Sequence, residues 1–238
     1  MREEVHRIPV DGQKVALVLH LPERTPAPCV VACHGLGASK DSEKYLLLGR
    51  EFPGAGLVLA RFDFRGCGES DGVYSESTIG TRVRDAEGVL EFLVGHPELN
   101  GRFGLLGSSM GGYVALFVAA AGRLSGPVVT WNCPATLRGL DPTRSQDLLG
   151  LGAAFFDELR AGRYVDAPSG VRCSLTIQAD HDEVVPPHHG QLLFDRAAEP
   201  RELVLLCGAD HRLSDTRHRL EALTRSLAWF GRFLCDSK

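Results

Sequence analysis

The chain has no run approaching the roughly twenty apolar residues that cross a bilayer, and its first residues, Met1-Arg2-Glu3-Glu4-Val5-His6, are acidic where a secretory leader would be apolar. No membrane partner is expected, and the cytoplasm is the expected location. Basic charge is not in surplus either: a formal net charge of -4 and a pI near 6.1 give no electrostatic reason for a nucleic-acid partner. Also missing is any disulfide frame. Seven cysteines make an odd number, and Cys29, Cys33, Cys133, Cys173 and Cys207 fall in or beside apolar, strand-like runs, so they read as small buried residues in a reducing compartment. Cys29 and Cys33 share a strand face but have no Cys or His pair at zinc spacing to complete a site. No metal and no other cofactor is expected.

What is present is the composition of a globular protein, 44% hydrophobic and 24% charged over 238 residues. That length suits one large α/β domain, 1–238, and is too short for two ordinary domains and a linker. Val5 to Val10 and Lys14 to Leu21 flank Asp11-Gly12 and read as an antiparallel hairpin. Cys29 to Cys33 and Gly56 to Phe62 are nearly continuous apolar runs, as expected of strands covered on both faces. Helices are expected over Asp41 to Phe52 and from Ser77, as its cap, through Ile79, Val83, Ala86, Leu90 and Leu93. Further strands are expected at Arg102 to Ser108, Pro127 to Trp131, Val171 to Gln178 and Glu202 to Cys207. Pro187 to Ala198 reads as a helix, and Leu220, Leu223, Leu227, Phe230 and Leu234 mark the apolar face of a closing one. Alternating strands and helices imply a mostly parallel sheet with helices on both faces, whose ligand sits outside the carboxyl ends of the strands.

Those ends carry the polar residues His34, Asp63, Ser109, Asp180, Asp182 and His211. The most informative stretch is Gly107-Ser108-Ser109-Met110-Gly111, a Gly-x-Ser-x-Gly pattern between an apolar strand and an Ala-rich helix. A strand turning sharply into a helix strains the corner residue and leaves its hydroxyl exposed at the sheet edge. Serine is a weak nucleophile at neutral pH and needs a base, which in turn needs a carboxylate to orient it. Asp180 and Asp182 follow one later strand and His211 the next, giving the order Ser, Asp, His.

With these residues in view the chain resembles the α/β-hydrolase superfamily, in its serine-aminopeptidase-like and feruloyl-esterase-like branches. Gly107 to Gly111 matches the nucleophile elbow, Asp182-Glu183-Val184-Val185-Pro186 is similar to the acid loop, and Gly208-Ala209-Asp210-His211 is similar to the histidine loop. His34-Gly35-Leu36-Gly37 resembles the oxyanion loop, and Asp63 to Ser70 resembles the stretch Asp-x-Arg-Gly-x-Gly-x-Ser. The resemblance implies an eight-stranded sheet, Ser109 as nucleophile, His211 as base, Asp182 rather than Asp180 as the acid, and the N–H groups of Leu36 and Met110 as the oxyanion hole. Some relatives carry the acid one strand earlier, where this chain has Asn132-Cys133-Pro134.

His181, His188 and His189 are expected to be surface residues, His34 to brace its own loop, and Asp63 with Arg65 to form a structural ion pair. Pro134 to Gly170 is the place for a small cap, with Leu148, Leu149, Leu151, Phe155, Phe156 and Leu159 as its apolar face and Arg138, Asp141, Arg144, Asp147 and Arg160 between them. Equally, these apolar residues could simply pack on the sheet. The expected activity is hydrolysis of a small-molecule carboxylic ester through an acyl-enzyme. An aminopeptidase-like or thioesterase reaction on the same triad is the alternative, and a non-catalytic binding protein the reading from another class.

Overall fold

In a computed structural model that describes residues 2–122, 126–140 and 150–235, the chain forms one eight-stranded sheet. In chain order the strands are β1 (Arg2–Val10), β2 (Gln13–Leu21), β3 (Ala27–Cys33), β4 (Val58–Phe62), β5 (Leu99–Ser108), β6 (Val128–Trp131), β7 (Ser174–Ala179) and β8 (Arg201–Leu206). The helices among the described residues are α1 (Glu43–Glu51), α2 (Ile79–Val94), α3 (Met110–Ala120), α4 (Ala153–Arg160), α5 (His188–Arg196) and α6 (Thr216–Phe230). No helix among these residues is long and apolar enough to cross a membrane.

The spatial order is β1-β2-β4-β3-β5-β6-β7-β8, with β2 antiparallel to both its neighbours and every pair from β4 to β8 parallel. Asp11 and Gly12 both take positive φ, 48° and 80°, so the hairpin turn follows the twist of β1 and β2. Alternate residues of the central strands feed two cores. Cys29, Val31 and Cys33 meet α2, α3 and α4, whereas Val30 and Ala32 meet α1 and α6. Helices on both faces are why these strands have no polar alternation, and each fully buried Leu or Val contributes about 1.5–3 kcal/mol.

Several details depart from the sequence reading. The cap of α2 is Thr78 and not Ser77: Thr78 and Thr81 exchange side-chain and backbone bonds in a reciprocal box. The buried face of α6 runs through Arg219, Ala222, Leu223, Ser226, Trp229 and Phe230, leaving Leu220 exposed. Leu223, Phe230 and Leu234 are buried and Leu227 packs against the same core as expected; the face also takes in two polar, bonded members that hydropathy does not mark, and Ser226 Oγ accepts from Trp131 Nε1 at 3.0 Å. Cys207 is exposed and Cys173 half-buried, since β8 is an edge strand and Cys173 precedes β7.

Leu151, Phe155 and Phe156 are buried in the same core as α2 and α3, with Leu159 packed against it, and Glu158 of α4 accepts the Gly80 N–H at the start of α2 at 3.0 Å. Arg138 pairs with Asp166 and Arg160 with Asp157. Asp141, Arg144, Asp147, Leu148 and Leu149 lie outside the described residues.

Candidate active site

The carboxyl ends of β3, β5, β6, β7 and β8 converge on Ser109. This residue has φ 55° and ψ -125°, a backbone conformation costly for any side chain, and is held by its N–H to Trp131 O at 2.8 Å and by Tyr113 N–H on its own carbonyl at 3.1 Å. The two flanking glycines are sterically required. A Cβ on Gly107 would run into the Gly111 backbone, and one on Gly111 into Cys33 O at the end of β3. The elbow therefore packs against α3 on one side and the end of β3 on the other.

Ser109 Oγ lies 3.1 Å from His211 Nε2, and His211 Nδ1 lies 2.8 and 2.9 Å from the two oxygens of Asp182. With the Nδ1 proton donated to Asp182, Nε2 is left to accept from the serine hydroxyl. Asp182 is buried, and its Oδ1 accepts the Val184 and Val185 N–H groups at 2.9 and 2.7 Å, which fixes the carboxylate toward the imidazole. Asp180 is placed differently: its Oδ1 accepts the Gly208 N–H at 2.6 Å, tying the acid loop to the histidine loop.

The loop after β3, from His34 to Gly37, passes beside the serine, for a Cβ on Gly35 would stand 3.3 Å from Ser109 Cβ. Leu36 N–H follows directly, and Met110 opens α3, where first-turn N–H groups lack intrahelical acceptors. His34 is fully buried; Phe64 N–H donates to its Nε2 at 3.1 Å and Nδ1 meets Gly35 O at 2.8 Å. Burial, helped by the charge of Arg82, pushes its pKa down to about 3, so it is a neutral brace.

The ion pair expected between Asp63 and Arg65 does not form. Asp63 accepts from Lys40 N–H at 2.7 Å, Lys40 Nζ at 3.2 Å and Glu69 N–H at 2.9 Å, while Arg65 pairs with Asp85 of α2 and with Asp11. The carboxylate collects the N–H groups of two loops, and α2 offers the guanidinium a buried partner. His181 and His188 are exposed as expected, but His189 is half-buried and its Nδ1 accepts the Ala135 N–H at 2.9 Å.

Two residues that sequence reasoning passed over also hold the site. Asn132, fully buried at φ 50°, accepts the Ala179 N–H through Oδ1 at 2.8 Å and donates through Nδ2 to His211 O at 2.8 Å. Asparagine at a strand end, where positive φ is tolerated, was the available signal. Lys44 of α1 donates to Ser108 Oγ at 2.9 Å; burial and the charge of Arg219 lower its pKa to about 8.

Ser109, His211 and Asp182 stand in hydrogen-bonded order at the carboxyl edge of this sheet, and the chain belongs to the α/β-hydrolase superfamily. The family described as serine aminopeptidase, S33, matches residues 24–139. Human mitochondrial palmitoyl-protein thioesterase ABHD10 is 30% identical over 220 residues, covering 79% of this chain and 68% of that protein. Solved structures share the fold, and two of them illustrate it. Est1E of Butyrivibrio proteoclasticus, solved with ferulic acid bound, has a TM-score of 0.78 at 18% identity, covering 94% of this chain and 98% of its own. XC6422 of Xanthomonas campestris, described as a serine hydrolase without lid, has a TM-score of 0.75 at 20% identity, covering 100% and 98%.

Proposed function

We propose that the protein is a serine hydrolase that cleaves small carboxylic esters through an acyl-enzyme. The observation carrying this reading is the unbroken chain from Ser109 Oγ through His211 to Asp182. In the proposed reaction Ser109 Oγ attacks the acyl carbon as its proton passes to His211 Nε2, and Asp182 stabilises the imidazolium that forms. The N–H groups of Leu36 and Met110 receive the developing oxyanion. His211 then returns the proton to the leaving alcohol, and a water activated by the same imidazole releases the acid and regenerates Ser109.

A thioesterase reaction is the second reading, favoured by the 30% identity to palmitoyl-protein thioesterase ABHD10. The same groups serve both reactions; only the leaving group changes, from alkoxide to thiolate. The proposal takes 1–238 as one domain acting on a small molecule in the cytoplasm, with 134–170 as a cap.

A fluorophosphonate probe tests the chemistry: labelling that disappears in Ser109→Ala is expected, and folded protein that resists the probe overturns the proposal. p-Nitrophenyl esters, matched acyl thioesters and aminoacyl anilides then rank the substrates. Esters turned over fastest are expected; a preference for thioesters moves the assignment to the second reading, and a preference for anilides to a peptidase.

A further inference from the structure

Beyond the serine site, a second constellation of side chains joins β1 to the end of α2. Glu4 and His6 are two apart on a strand and so share a face. His96 follows the last turn of α2, its N–H bonded to Leu93 O at 3.0 Å. One carboxylate oxygen, Glu4 Oε2, lies 3.5 Å from His6 Nε2 and 3.2 Å from His96 Nε2, and ligand atoms of all three residues fall within 4.8 Å of one another.

Those separations have a specific meaning. Bonds of about 2.0–2.2 Å to a tetrahedral zinc place any two of its ligand atoms roughly 3.3–3.5 Å apart. The Glu4–His6 separation of 3.5 Å meets that value, and the Glu4–His96 separation of 3.2 Å is within about 0.1 Å of it. The other carboxylate oxygen, Oε1, is occupied by Arg2 at 3.2 Å, and Arg2 is itself held by Glu98 at 2.7 Å. Oε2 is thus the oxygen turned toward the imidazoles.

The His6 Nε2 atom adds to this. It is hidden from solvent and makes no hydrogen bond, approaching Glu4 Oε2 at 3.5 Å without forming one, a state in which a buried polar atom is seldom left. The His96 side chain is 10% exposed and the other two 27%, so the three donors are partly withdrawn from solvent. Phe92 packs against both imidazoles, with ring centroids 5.1 Å from His6 and 6.1 Å from His96, fixing the rings and walling off one side.

From this geometry we propose that Glu4, His6 and His96 form a binding site for a late first-row divalent cation, zinc being the probe of choice. Two imidazoles and a carboxylate are a donor set that suits zinc and copper better than magnesium or calcium. Binding takes each imidazole through Nε2 and leaves its proton on Nδ1; at His96 the long Glu98 N–H contact on Nδ1, 3.4 Å, then gives way. The bound ion ties the edge strand of the sheet to a segment some ninety positions further along the chain, and so braces an otherwise open edge.

This proposal is independent of the proposed hydrolysis and is tested without it. Zinc chloride titrated into the full Ser109→Ala chain by calorimetry is expected to show one saturable site. His6→Gln and His96→Gln, made separately in that background, are each expected to weaken it by at least about tenfold, since even outer-shell partners of a metal contribute that much. Zinc should raise the unfolding temperature of the parent and not of the variants. Absence of saturable binding overturns the site, as does affinity unchanged in both variants, which would place the ion at His211 or at an exposed cysteine. If either variant fails to fold, Glu4→Gln and the visible spectrum of the cobalt-loaded parent decide: intense four-coordinate bands lost in Glu4→Gln support the site, and weak six-coordinate bands overturn it.

Discussion

Asn132 grips the carbonyl of His211 at 2.8 Å while bonding the last residue of β7, so one buried amide sets the distance between the acid loop and the histidine loop. Removing it should affect both the fold and the chemistry. Asn132→Ala is expected to destabilise the protein by about 2–3 kcal/mol, from buried groups left unpaired. Turnover of an ester is expected to fall by up to about a hundredfold, as His211 drifts from Ser109. Asn132→Gly accommodates the φ of 50° and separates the two effects. If it turns over normally, the backbone bend and not the amide positions the histidine.

Asp180 and Asp182 are two residues apart and should respond oppositely. Asp182→Asn is expected to lower kcat by roughly 10³–10⁴, the cost of presenting His211 in the wrong tautomer. Asp180→Asn should stay within about tenfold of the parent and lose some stability, because it contacts Gly208 N–H and not the imidazole. Steady-state kinetics beside thermal unfolding of each variant checks this, and the reverse pattern would identify Asp180 as the acid.

Lys44 should impose a pH dependence on stability. Its pKa falls from 10.5 in the unfolded chain to about 8 in the fold, so between these values the unfolded state binds more protons. Stability contributed through this group therefore increases as pH rises from about 8 to about 10.5 and is flat below. Urea unfolding of the parent and Lys44→Met at pH 8, 9 and 10 is expected to show that slope in the parent alone. Identical slopes would mean that the amine is solvated.

His34 should produce the corresponding loss in acid. Its pKa drops from 6.5 to about 3 on folding, so proton binding to the unfolded state destabilises the fold progressively as pH falls through that window. His34→Gln, which keeps an acceptor for Phe64 N–H, is expected to flatten this limb in unfolding curves between pH 6.5 and 4. In the parent, the His34 ring resonances should remain those of a neutral imidazole throughout the same range; protonation near the ordinary histidine value would contradict the assignment.

The elements that sequence reasoning recovered are those whose signal is local. The Asp11-Gly12 turn, the double-faced apolar strands and the run Gly107 to Gly111 each specify their own backbone within a few residues. The order of Ser109, Asp182 and His211 could be read because strand ends in a parallel sheet share one rim. Asn132, Lys44 and His189 could not be read in this way, since each owes its role to a segment brought close only by the fold. The same limit hid the polar members of the inner face of α6, where a serine and an arginine stand inside because Trp131, Leu213 and Ser214 bond them there. The set proposed for a cation, Glu4, His6 and His96, was invisible for a third reason: zinc spacing is a rule about short sequence intervals, and some ninety positions separate His6 from His96.

The pairing of β3 with β5 brings Cys33 opposite Gly107, with the Cys33 carbonyl directly beneath Gly111. The loop that would receive the negative charge and the corner that would launch the attack are thus outgrowths of a single seam. Enlarging a side chain there, as in Cys33→Val, would pry the two apart together and dim every acyl substrate alike, whereas damage on the β7 side would disturb proton transfer and leave oxyanion stabilisation standing.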